Sequence, residues 1–140
     1  MTWRCRLDRG SATVELAIVA PVLIAFMLLV VYAGRVADAD ANVHRAASEA
    51  ARAASLRQHP AEATEVARET AAANLHASGA PCISLATDVN ASEFRAGGVV
   101  TVTVTCVASM RDVAFLGVPG TRTFRARAVE TVDTYRGGEP

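Results

Sequence analysis

Between Leu16 and Gly34 the chain carries no charged residue, and this run limits what the remainder can become. About nineteen residues of helix rise roughly 28 Å at 1.5 Å each, close to the ~30 Å hydrocarbon core of a bilayer. Leu, Ile, Val, Phe, Met and Ala line the run on every side. A helix with no polar face must be buried in a large core or in lipid. The chain has 140 residues, one domain by length, and the roughly one hundred outside the run make too small a body to wrap such a helix. Lipid is the better host. About eleven Leu, Ile, Val and Phe side chains each contribute roughly −0.3 to −0.6 kcal/mol near the helix centre, a sum exceeding the ~2.5–3.5 kcal/mol cost of a buried acid. The lone acid, Glu15, stands at the end of the run, where its cost is smaller. Pro21 is tolerated in lipid as a mild kink.

The bulk composition narrows the partners. Fourteen acidic residues balance fourteen basic ones, and every basic residue is arginine. With no basic excess to neutralise phosphate, the chain is not built for nucleic acid. Of the cysteines, Cys5 precedes the apolar run while Cys82 and Cys106 follow it. An odd count divided in this way points to one pair, Cys82 with Cys106, and one leftover thiol in a different compartment. A disulfide closing a loop of about 25 residues would stabilise by roughly 3 kcal/mol; two buried free thiols are the alternative. Arg4, Arg6 and Arg9 before the run outnumber Arg35 and Arg45 after it. That bias places the N-terminus in the cytoplasm and the C-terminal region outside, which agrees with a cysteine pair in an oxidising space.

Beyond Gly34 the helical pattern continues to about His59, where Pro60 ends it. Val36, Ala39, Val43, Ala46 or Ala47, Ala50 and Ala54 trace one small apolar stripe, with Arg35, Asp38, Asp40, Arg45, Glu49, Arg52 and Arg57 over much of the rest. A second helix is predicted from about Ala61 to His76, with Ala63, Ala67, Ala71 and Leu75 along one side and Gly79-Ala80-Pro81 closing it. From Cys82 the period changes to two. Ile83 to Val89 reads as a short strand, Gly97-Gly98 as a turn, and Val99 to Ala108 as a strand with Val100, Val102, Val104 and Cys106 on one face. Met110 to Gly120 reads as a loop carrying Val113, Phe115, Leu116 and Val118. Thr121 to Val132 is a third strand, with Phe124, Ala126, Ala128 and Val132 inward and Arg125 and Arg127 outward. The tail from Asp133 is polar and loosely held.

No catalytic constellation emerges. His44, His59 and His76 are far apart in sequence and lack metal-ligand spacing with any cysteine pair. There is no phosphate-cradling glycine loop, nucleophile elbow or HExxH. The chain therefore reads as a non-enzyme with no cofactor and no metal site.

One local motif remains. Gly10-Ser11-Ala12-Thr13-Val14-Glu15 follows the arginine-bearing leader and opens the apolar run. It resembles the signal of type IV prepilins, in which a membrane peptidase cuts after glycine and the fifth mature residue is glutamate. The resemblance implies Gly10 and Ser11 as the processing site and Glu15 as a subunit-assembly residue. Cleavage would leave a free amino group at the lipid boundary, and a neighbouring subunit's carboxylate can pair with it there. The wider run D-R-G-S-A-T-V-E-L-A-I-V-A-P-V-L, with A-x-x-A-A-R-A-A from Ala47 to Ala54, is similar to the TadE-like family of tight-adherence pilus assembly. Those proteins are small, single-pass minor pseudopilins of bacteria. The similarity is strong over about residues 8 to 56 and one of plan only beyond. Serine stands first after the cut, where type IV pilins proper have phenylalanine.

The resemblance implies a pilin-like α+β fold. A long N-terminal transmembrane helix continues into an amphipathic helix, then a second helix and a small antiparallel sheet of about three strands. The expected divisions are a cytoplasmic leader over 1–10, a transmembrane helix over 11–34, extracytoplasmic helices over 35–78 and a disulfide-linked β-rich region over 79–140. The implied partners are the bacterial inner membrane, other pilin-like subunits, the pilus assembly platform and a prepilin peptidase. An unprocessed single-pass protein with an extracytoplasmic binding domain is the main alternative. A secreted domain freed at Ala37-Asp38-Ala39 is weaker, because the apolar run exceeds a signal-peptide core and Arg35 intervenes.

Overall fold

A computed structural model describes residues 9–111 and 120–135. Its elements are two helices and three strands: α1 (Arg9–Ser55), α2 (Pro60–Ala77), β1 (Cys82–Glu93), β2 (Val99–Ser109) and β3 (Thr121–Thr131). The chain divides into two compact units, Met1–Arg35 and Val36–Pro140, with α1 contributing to both. Cys5, the side chains Val113, Phe115, Leu116 and Val118 of the expected loop, and the end of the tail lie outside the described residues.

In the first unit α1 is apolar and uncovered. Every large apolar side chain described from Val14 to Val31 is exposed or half-exposed, and none is buried. Pro21 lies inside the helix, leaving the Ala17 carbonyl without its usual helical donor.

In the second unit the rest of α1 buries a stripe of Ala39, Val43, Ala46, Ala47, Ala50, Ala51 and Ala54, the spacing expected of a helix packed on one side. The helix ends at Ser55 rather than near His59. The Ser55 hydroxyl donates to the Arg52 carbonyl at 2.9 Å and the Arg57 N–H to the Ala54 carbonyl at 3.0 Å. The Ser55 carbonyl accepts from the Asp133 N–H at 3.4 Å. Helix α1 therefore ends four residues before Pro60 could stop it, its last carbonyl engaged from beyond β3. His59 is extended (φ −119°, ψ 139°), as a residue before proline must be, and Pro60 opens α2 where its missing N–H costs nothing.

Helix α2 buries Ala63, Ala67, Ala71 and Leu75. It ends in a Schellman motif: the Gly79 N–H donates to His76 and the Ala80 N–H to Leu75, both at 3.1 Å, with Gly79 at φ +67°.

The sheet is an antiparallel meander in the order β1-β2-β3. Strand β2 alternates without a break: Val100, Val102, Val104, Cys106 and Ala108 are buried, as is Met110 just after the strand, and Thr101, Thr103, Thr105 and Val107 are half-buried. Phe124, Ala126 and Val132 complete the buried face from β3 and the residue after it, with Ala128 half-buried beside them. The Gly97 N–H donates to Val132 and the Val132 N–H to Gly98, so the chain leaving β3 pairs with the β1–β2 turn. Strand β1 is longer than its expected Ile83–Val89, running from Cys82 to Glu93 with irregularities between Cys82 and Ser84 and between Asn90 and Glu93. Its C-terminal extension, Asn90-Ala91-Ser92-Glu93, is mostly polar and lies on an edge strand, where periodicity leaves little trace.

Candidate functional site

The site residues expected from the sequence fall into two groups. Gly10 and Ser11 lie in the first turn of α1. Glu15 follows in the same helix, roughly 6 Å along the axis from Ser11, and is exposed. Among the described residues Glu15 has no ion-pair partner. An exposed carboxylate at the mouth of an apolar helix can take a cation from another molecule. The helix that follows is long and apolar enough to cross a membrane, and its most apolar stretch is wholly unburied.

The second group is the Cys82–Cys106 disulfide, which joins β1 to β2 with Cα atoms 5.5 Å apart. Its geometry depends on a bulge. Leu85 pairs with Cys106 and Ser84 with Val107, so strict alternation would give Ile83 the place opposite Ala108. Cys82 takes that place instead. Ile83 is the extra residue of a β-bulge, and the insertion turns Cys82 to the buried face that Cys106 occupies. Ile83 itself is 60% exposed.

A third feature lies on the sheet's solvent-facing side. On the sheet's other face, registration sets Asp88, Thr103 and Arg127 in one row, with Ala86, Thr105 and Arg125 beside it. Asp88, Asn90, Thr101, Thr103, Arg125 and Arg127 line a shallow open depression of about 370 Å³. The outward arginines were legible from the period of β3. Their alignment with Asp88 required the strand order and register.

Among the described residues no cluster of histidine, cysteine, aspartate or glutamate could hold a metal ion. His44 stands 3.9 Å from Asp40, one helical turn away and exposed. His59 and His76 are also exposed.

Residues 10–52 match the TadE-like protein family. The match covers the apolar helix and most of its alanine-striped continuation, so the two share one family signature although they belong to different compact units. The matched segment contains the N-terminal helix of membrane type. The TadE-like family is a structural family of pilus assembly. No curated protein and no solved structure matches the chain. Outside the TadE-like segment, α2 and the disulfide-linked sheet therefore rest on their own geometry.

Proposed function

We propose that the chain is a membrane-anchored, minor-pilin-like structural subunit of tight-adherence pilus assembly. A prepilin peptidase cuts it after Gly10, and the mature chain begins at Ser11. The observation that carries this reading is the uncovered apolar helix, exposed along its length from Val14 to Val31 within the segment that matches the TadE-like family. A surface of that kind in water would aggregate; in a bilayer it is matched by lipid and by helices of its own kind. Residues 11–34 cross the bacterial inner membrane. The leader stays in the cytoplasm, and the helices over 35–78 and the β-rich region over 79–140 are exported. The Cys82–Cys106 bond supports that orientation, since disulfides persist in oxidising spaces. Glu15, five residues into the mature chain, pairs with the free α-amino group of a neighbouring subunit.

Mass spectrometry of the mature N-terminus, on protein extracted from membranes of peptidase-positive cells, tests the reading. Ser11 is the expected first residue. A chain retaining Met1 or its immediate successor in those cells overturns processing, and with it the assigned role of Glu15.

A further inference from the structure

Helix α2 exposes the acids Glu65 and Glu69, and the outer face of the sheet the arginines Arg125 and Arg127. On α2, Ala63, Ala67, Ala71 and Leu75 are buried, and the opposite ridge shows Glu65, Glu69, Ala72 and Ala73 to solvent. On β3, Arg125 and Arg127 are both exposed on the outer face. Glu62 is engaged by Arg57 at 3.4 Å. Among the described residues, Glu65, Glu69, Arg125 and Arg127 have no partner of any kind. Each pair is mildly unfavourable alone: two acids one turn apart repel along a helix, and so do like charges on one face of a strand.

The spacings agree. Glu65 and Glu69 are about 6 Å apart along the helix axis, and Arg125 and Arg127 about 6.8 Å apart along the strand. The relief also fits. The trough between Asp88 and Arg127 is floored by Thr101 and Thr103, and the ridge beyond Glu69 continues in the small exposed residues Ala72 and Ala73, so that end of the helix can approach closely. Arg68, exposed beside Glu69, has its opposite charge in Asp88 across the trough.

The geometry points to a second copy of this chain as the occupant: the α2 ridge of one copy lies in the outer sheet trough of the next, Glu65 and Glu69 on Arg125 and Arg127. Helix α2 neighbours β1 and buries its alanine side, the trough opens on the sheet's exposed face, and the acids and arginines of one copy do not pair with each other. Such a contact is heterologous, leaves both outer surfaces of a pair unfilled, and propagates. It rests on the structural-subunit reading above and adds the surfaces through which exported regions meet. One helix on three strands is a small contact, so it needs the high local concentration that a shared membrane provides.

The test uses the full-length chain in membranes. A photoreactive benzophenone amino acid replaces Thr103, and copies of normal and heavy-nitrogen label are mixed before irradiation. The expected product is an adduct between copies, mapped by mass spectrometry to residues 61–73. Glu65→Arg with Glu69→Arg should reduce it about tenfold or more, because like charges then face each other. Adding Arg125→Glu and Arg127→Glu in the same chain should restore it, and raised salt should weaken it. An adduct to another protein, to lipid or to glycan overturns the docking, as does charge reversal without effect. Absence of the adduct in membranes whose protein begins at Ser11 overturns the docking alone. Protein found outside the membrane overturns the structural-subunit reading, and the docking with it.

Discussion

Replacing both Cys82 and Cys106 with alanine measures how far the exported unit depends on its cross-link. More than half of the buried apolar residues described are alanine. Alanine supplies helix but little buried area, and burial stabilises roughly in proportion to that area, at about 25 cal/mol per Å². The bond closes a sequence separation of 24, for which the chain-entropy relation gives roughly 3 kcal/mol. In a domain of about 100 residues that loss lowers the melting temperature by roughly 12–24 °C. The assay is thermal melting by circular dichroism of the full chain in detergent, with and without reductant. The double variant and the reduced natural protein should melt together, well below the oxidised natural protein. Deleting Ile83 provides the control. If Ile83 is the bulge residue, its loss leaves Cys82 opposite Ala108 in a regular strand, and the disulfide still forms. A fall of less than about 4 °C in the double variant would refute the entropic reasoning. A reduced pair of thiols in the Ile83 deletion would refute the bulge.

Two further perturbations discriminate in the same way. Gly98→Ala would drive a methyl group into the Glu93 carbonyl oxygen and against Arg95, so it should destabilise the β1–β2 turn by about 2 kcal/mol or more. Gly34→Ala meets nothing within 4 Å and should leave the melt of the exported unit unchanged; equal effects of the two would refute the packing of that turn. Leu23→Arg with Phe26→Arg puts two charges, each costing about 2.5–3.5 kcal/mol, near the middle of the apolar run, a total that matches or exceeds the favourable sum of the run, and should shift the chain toward the alkaline-soluble fraction. Retention equal to that of the natural protein would count against a transmembrane role for the helix.

The parts legible in the sequence are those in which one residue pattern repeats against one neighbour. The spacing of Ala39, Val43, Ala50 and Ala54, and of Ala63, Ala67, Ala71 and Leu75, gave both helical stripes, because a helix buried on one side must repeat at three and four. The alternation from Val99 to Ala108 gave β2 for the equivalent reason. Helix α1 could not be ended correctly, since its last carbonyl is held by the Asp133 N–H, far along the chain. Proline was the only stop signal nearby, and it acts four residues too late. The outward arginines of β3 were readable one by one, but their row with Asp88 exists only once β1, β2 and β3 are ordered and registered.

The disulfide shows how a local reading and a tertiary one can disagree and both be informative. Taken alone, the alternation of Leu85, Thr87 and Val89 assigns Cys82 to the face opposite theirs, while Cys106 belongs with Val100, Val102 and Val104. Strict period two therefore sets the two cysteines on opposite sides of the sheet, where no bond can form. Compartment and count argued for the bond all the same. Both hold only if one residue of β1 is extra, and Ile83, with its large apolar side chain left in solvent, is that residue. An exposed isoleucine beside a half-buried cysteine is thus the local cost of a cross-link whose gain is spread over the whole β-rich unit.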